Sequence, residues 1–333
     1  MRRGFLISGT AACLVAGSAL AAPSAFAAGP LPNGFTAKVI AHSGQTITGP
    51  VDATGFDLGI YIGPGVHGVR VVRARVTGAN AQGILVQDTS DVVIERSTVE
   101  GNARNFPAQL GEVKAISLAG TRHVVVTGNK VEGNGDGGIG VYDDGPNSPA
   151  TIAPVAVATT PIPGVGNVVS GNDIRDNVHG CGIVVAAKNP GGGVADTVVI
   201  GNTVTGFDPA DGDQTPGTVG GIVVAGGSFG AVQVSRTVVL GNRITGGLIP
   251  GISLHAGAPG TITGTQLVGN RMAHNGGTPT SGVEIATAGG TISGTRVIGD
   301  SVAHDDVGVF HVGDTGTRIV GLRTSDVPAR EAP

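Results

Sequence analysis

The 333-residue sequence contains no tryptophan, two tyrosines and eight phenylalanines, so a cleft built on aromatic stacking has few residues to draw on. Charged residues are also scarce at 13%, whereas hydrophobic ones reach 40%. That balance excludes an intrinsically disordered chain, which is polar and highly charged. Heptads and long Ala/Leu/Glu/Lys runs are missing, which excludes a coiled coil or a helical bundle. Of the two cysteines, Cys13 and Cys181, the first falls in a leader segment. The mature chain is therefore expected to hold one thiol and no intramolecular disulfide, and its stability must come from packing.

The leader is read from Arg2-Arg3, an apolar run from Phe5 to Ala22 and the small-x-small site Ala25-Phe26-Ala27. In that order they make residues 1–27 a secretory signal peptide, cleaved after Ala27. The run Arg2-Arg3-Gly4-Phe5-Leu6 also resembles a twin-arginine export signal. Beyond it no run of 18 apolar residues occurs, so no membrane span is expected and the product is expected to be secreted. Loss of Arg2 and Arg3 leaves 18 basic against 24 acidic side chains, a net charge of −6. Nucleic acid is not an expected partner for such a chain. The oligomeric state is not legible in the sequence.

What the sequence has in abundance is glycine: 60 residues, about 18% against a usual share near 7%. The glycines mark a repeat. One block, apolar-x-Gly-Asn-x-apolar, places Asn129, Asn172, Asn202, Asn242, Asn270 and the matching Asp300 at steps of 43, 30, 40, 28 and 30 residues. Ala74 and Ser97 occupy the equivalent slots upstream. A second block alternates with it: Gly83-Ile84-Leu85-Val86, Gly138-Ile139-Gly140-Val141, Gly182-Ile183-Val184-Val185, Gly221-Ile222-Val223-Val224, Gly251-Ile252-Ser253-Leu254 and Gly282-Val283-Glu284-Ile285. The β-branched segments are too short for helices, and a step near 30 residues holds three of them. Stacking each strand on its counterpart in the next coil gives a solenoid of about nine coils, roughly 40 Å long at about 4.8 Å per coil. Aligned asparagines would hydrogen-bond from coil to coil.

This pattern, over roughly residues 55–325, resembles the right-handed parallel β-helix of the pectate-lyase-like superfamily. The organisation expected is a signal peptide over 1–27, a cap over 28–50, an all-β parallel β-helix over 51–325 and a polar tail over 326–333. Two insertions, 143–166 and 207–219, are expected to leave the rod as loops.

The resemblance implies a substrate groove on the outward face of the Gly-Ile-x-Val strand. Its outward rows read Leu85, Ser117, Gly140, Val184, Val223, Ser253, Glu284, Phe310 and Gln87, Ala119, Tyr142, Ala186, Ala225, His255, Ala286, Val312. Apart from Glu284 and His255 they carry no ionisable group. A lyase needs a base beside a uronate carboxylate and a cation to neutralise it; a glycosidase needs two carboxylates. Candidates therefore come from the flanks: Lys114 and Asp136 as catalytic groups, and Glu112, His179 and the aromatic face of Tyr142 as substrate contacts. Asp208, Asp211 and Asp213 form an oxygen-rich loop suited to calcium, with Asp143 and Asp144 a second such candidate. His179 and Cys181, at H-x-C spacing, have no second pair to complete a metal site, and Cys181 reads as a small apolar turn residue. The function expected is binding or cleavage of an acidic polysaccharide, by a lyase if catalytic; the alternative is a non-catalytic extracellular scaffold.

Overall fold

A computed structural model of the chain describes residues 29–31, 35–103, 114–146, 160–177, 180–207, 220–227, 230–276 and 281–332. All regular structure among them is β-strand, stacked in three sheets of 12, 18 and 5 strands. The first sheet carries the Gly-Ile-x-Val segments; the second carries two short strands per coil that meet at the Gly-Asn corner; the third is the short side. In the first sheet Gly29–Pro30 pairs antiparallel and the other eleven strands pair parallel. The rod thus has more coils than the nine expected. Thr36–Ile40, inside the segment read as a cap, pairs parallel with the next coil, and Ala329–Ala332, in the segment read as a tail, pairs parallel with the preceding one.

Two glycine rows explain why the chain turns where it does. The corner residue before each ladder asparagine is left-handed, with φ between 59° and 64° at Gly128, Gly171, Gly201, Gly241, Gly269 and Gly299, a region open to glycine at little cost. The glycine entering each first-sheet strand answers a different need. A Cβ on Gly182 would lie 2.2 Å from Val204 Cγ1 and 2.7 Å from the Gly221 carbonyl oxygen, so only a bare Cα fits against the inward valine of the second sheet.

Inside these corners the three-residue strands bury their middle residue, and Val126, Val169, Val199, Val239, Leu267 and Val297 stack in register. They form one continuous aliphatic core with the inward Ile and Val of the first sheet. The asparagine row is buried and fully engaged. Asn202 Oδ1 accepts from Asn172 N and Nδ2, and Asn202 Nδ2 donates to the Val169 carbonyl and to Asn242 Oδ1, all at 2.9–3.0 Å. A second ladder, not anticipated, runs through Asn102, Asn134 and Asn177 and resumes at Asn275 and Asp305. Between its two parts Phe207 is buried, its ring packed where a Cβ on Gly247 would otherwise sit, 2.0 Å away.

Candidate functional site

The outward face of the first sheet, where the resemblance places a groove, is closed over most of its length. Leu85, Ser117, Val184, Val223 and Ser253 are buried, as are Gln87, Ala119 and Ala186; Val312, in the last coils, is 43% exposed. Tyr142, expected to offer its face to a sugar, is 0% exposed. Its ring lies over Gly140, where a Cβ would fall 2.2 Å from Cε2, and packs with Cys181, Val184 and Val223. Cys181 is buried in this apolar cluster. His255 and Glu284, on adjacent coils, are also buried, and burial holds the His255 imidazole below the usual histidine range.

Lys114 and Asp136 are brought together by the coil stacking: Lys114 Nζ donates to Asp136 Oδ1 at 3.0 Å. The lysine side chain is 2% exposed, and its stem crosses Gly137, where a Cβ would lie 2.4 Å from Cδ. A pair enclosed in this way links consecutive coils, and its geometry is that of a buried ion pair. Glu112, His179, Asp208, Asp211 and Asp213 lie outside the described residues. Among the described residues no group of three or more His, Cys, Asp or Glu side chains is arranged to hold a metal ion. Asp143 is committed elsewhere, accepting from the backbone N–H groups of Lys188 and Asn189 at 2.8 and 3.1 Å.

An open cleft lies instead where the early first-sheet strands end and turn toward the third sheet. It has a volume of about 330 Å³ and is lined by His67, Asp88, Ser90, Gly120, Arg122 and Ile162, among others. Stacking continues through this corner, since His67 bridges to Ser90, Ser90 to Arg122 and Arg122 to Val165. Asp144 and Ile162 pair antiparallel at the root of the 143–166 insertion, through N–H to carbonyl bonds of 2.8 and 3.0 Å.

At the cleft the carboxyl of Asp88 meets that of Asp144, which is buried behind it. Asp88 adopts a left-handed φ of 48°, which turns its side chain over Gly120. A Cβ on Gly120 would lie 2.4 Å from Asp88 Oδ1 and 2.9 Å from Asp144 Cβ, so the bare glycine makes room for the pair. Behind them Tyr61 donates its hydroxyl to Gln87 Oε1 at 3.1 Å, and Gln87 Nε2 donates to Asp144 Oδ2 at 2.9 Å. Burial, then the charge and hydrogen bond of Asp144, push the Asp88 carboxyl up to about 8. Burial and the same two carboxyls raise the Tyr61 phenol well above its ordinary value, keeping it a donor. Among the described residues neither Asp88 Oδ1 nor Asp144 Oδ1 finds a hydrogen-bond donor. The left-handed conformation of Asp88 is that of the corner itself, since Gly120 in the next coil has φ 60°; what sets Asp88 apart is the buried carboxyl beside it.

Sequence reading passed over Asp88 because the outward rows stop at Gln87, Ala119 and Tyr142. One residue further the same register reads Asp88, Gly120 and Asp143, an acidic row with a gap in it. Asp144 completes the pair instead of Asp143 because the chain turns outward there into the insertion.

A family model described as a right-handed β-helix region matches residues 33–153, the segment that carries Tyr61, Gln87, Asp88 and Asp144. No curated protein sequence matches the chain. Among solved structures, PfbA, a surface adhesin of Streptococcus pneumoniae, superposes with a TM-score of 0.55 at 10% identity, covering 90% of this chain and 84% of that one. The periplasmic alginate epimerase AlgG superposes with a TM-score of 0.54 at 14% identity, covering 90% of this chain and 64% of that one. At such identities the likeness concerns architecture, and with the sheet pairing above it establishes that the chain is a right-handed parallel β-helix.

Proposed function

We propose that the protein acts outside the cytoplasm on an acidic polysaccharide and that Asp88 and Asp144 form its proton-transfer pair. The observation that carries this reading is the contact between Asp88, which lines an open cleft together with Arg122, and Asp144 buried behind it. Carboxylates that flank a glycosidic bond stand about 5–5.5 Å apart in retaining glycosidases and about 6.5–9.5 Å apart in inverting ones. A hydrogen-bonded pair is too close for either and suits proton transfer at one sugar unit. The solved β-helix proteins it resembles include an adhesin and an alginate epimerase, which agrees with a role in binding or processing glycans.

The chemistry proposed is β-elimination. Asp88, the carboxyl that lines the cleft, takes in its ionised form the proton on the carbon next to a uronate carboxylate, which Arg122 neutralises. The electron pair of that C–H bond forms a carbon–carbon double bond as the bond to the leaving sugar oxygen breaks. Asp88 then delivers the proton it took to that oxygen and is reset. Asp144, buried behind it and oriented by Gln87, raises the basicity of Asp88 without touching substrate. In this scheme Lys114 and Asp136 hold coils together without touching substrate. Calcium, if required, is assigned to Asp208, Asp211 and Asp213.

The test is ultraviolet absorbance on incubation with pectate, alginate and hyaluronan, with and without calcium, because elimination creates an absorbing unsaturated sugar. A rise with one polymer is expected. Asp88→Asn should lower it about 100-fold or more, the usual weight of a general acid–base group. Because Asp88 must be ionised to take the proton, turnover should rise about tenfold per pH unit up to about 8 and level off above it. A flat trace with all polymers, or full turnover by Asp88→Asn, would overturn the assignment. A non-catalytic scaffold is the second reading, favoured by the closure of the first sheet's outward face; it predicts the flat trace.

A further inference from the structure

The exposed face of the second sheet divides into two halves of different charge. In the early coils most of the cations on its strands are matched: Arg70 pairs with Glu95, Arg75 with Glu100, Lys130 with Glu132, and Arg175 with Asp173, while Arg73 and Arg96 stand exposed at corners. From the strand Val238–Leu240 onward the outward positions carry no acidic residue. There Arg243, Arg271, Arg296, Arg318 and Arg323 stand exposed, and none of them makes an ion pair among the described residues. The register places Arg243 directly beside Arg271 and Arg296 directly beside Arg318. Arg243, Arg271 and Arg323 belong to one strand row, and Arg296 and Arg318 to the row across the Gly-Asn corner. Four consecutive coils, about 4.8 Å apart, therefore each contribute one or two guanidinium groups to two adjoining rows.

Beside the arginines runs an apolar line, Leu240, Val268, Ile298 and Val320, again one residue per coil. Val320 is 41% exposed. The face thus offers a cation and an aliphatic contact at every step along the rod.

We propose that this face is a docking track for a linear acidic polysaccharide lying along the rod axis, separate from the cleft and on a different sheet. The ligand class rests on the reading of the protein as one that acts on acidic glycans, while the cleft chemistry is not needed. All the unmatched cations are arginine, whose planar fork pairs bidentately with carboxylate or sulfate. A sugar ring in an extended chain is close in length to one coil step, so successive acidic sugars meet an arginine on each coil, from one strand row or the other, and their C–H faces meet the aliphatic line that runs between the two rows. The described residues of this face carry no aromatic side chain on which nucleobases could stack. The phosphates of a nucleic-acid strand, about 3.4 Å apart along a duplex, are out of step with the coils.

The test measures binding of the full mature chain to immobilised polygalacturonate at low salt, with single-stranded DNA of matched charge as competitor. The combined variant Arg271→Gln, Arg296→Gln and Arg318→Gln should weaken polygalacturonate binding at least tenfold without changing the melting temperature, since the three side chains are exposed. Arg75→Gln, in the matched half, should leave binding unchanged. Binding is read without turnover, so a flat absorbance trace and loss of binding are separate results. Absence of wild-type binding, equal binding by the triple variant, or tighter binding of DNA than of polygalacturonate would each overturn the proposal.

Discussion

Replacing Asn202 with leucine should cost about 5 kcal/mol of stability, a large part of what a domain of ordinary stability possesses. The side chain sits in the middle of the first ladder and serves three groups that water cannot reach. Without it Asn172 N and Nδ2 lose the oxygen they share, at 2.9 Å each, and the Val169 carbonyl loses its donor at 3.0 Å. Each buried polar group left unpaired costs about 1–3 kcal/mol, and leucine, close in volume, neither relieves this by collapse nor admits water. Because a solenoid is held together by contacts between neighbouring coils, the damage should also be local. Amide exchange should accelerate first in the coils that hold Asn172 and Asn202, before the rod unfolds as a whole. Chemical denaturation measures the loss, and a change below about 1 kcal/mol would mean that the aliphatic rows alone hold the coils in register. Thr203→Val, one residue on and facing outward, is the matched control.

The same ladder shows why the architecture was readable and the cleft was not. A coil whose corner must be left-handed and whose next side chain must bond to its copy repeats both residues, so Gly-Asn recurs wherever the second sheet turns. The strand that must slide past an inward valine repeats its glycine for a steric reason. Such demands are the same at every level of the rod and therefore appear as sequence periodicity. The first and last strands fell outside the count because Thr36–Ile40 and Ala329–Ala332 have no Gly-Asn corner beside them. The second ladder was hidden by Phe207, which replaces a hydrogen-bonding side chain with a ring. A site, by contrast, is an exception to the repeat. Asp88 lies one position beyond the outward rows, and its partner is supplied by a turn out of the coil at Asp144. Tyr142 looked available because its register points outward, but pointing out of the sheet does not guarantee exposure to solvent.

At its far end the first ladder carries an aspartate, and Asp300→Asn should stabilise the protein at pH 8 by about 3 kcal/mol while changing it little at pH 4. Every ladder asparagine donates through Nδ2 to the carbonyl three residues before the preceding ladder position, as Asn242 does to Val199 and Asn270 to Val239. By that rule Asp300 places Oδ2 against the carbonyl of Leu267, and Oδ2 has no hydrogen-bond partner although the residue is fully buried. Two oxygens face one another unless the carboxyl is protonated. Burial therefore raises the Asp300 carboxyl to about 6 from its ordinary 3.8, against the opposing pull of the Asn270 donors on Oδ1. The folded protein then binds this proton more tightly than the unfolded chain does. The group's contribution to stability is complete below about pH 3.8, declines as pH rises, and is gone above about pH 6. Two pH units at about 1.4 kcal/mol each set the size of the change. Asparagine supplies the missing donor at every pH, so the gain should appear only where Asp300 has ionised. Comparing both proteins at the two pH values cancels the contribution of Asp305, which burial also raises. An equal difference at pH 4 and pH 8 would show that Oδ2 has found a donor and that the proton is not held at the ladder's end.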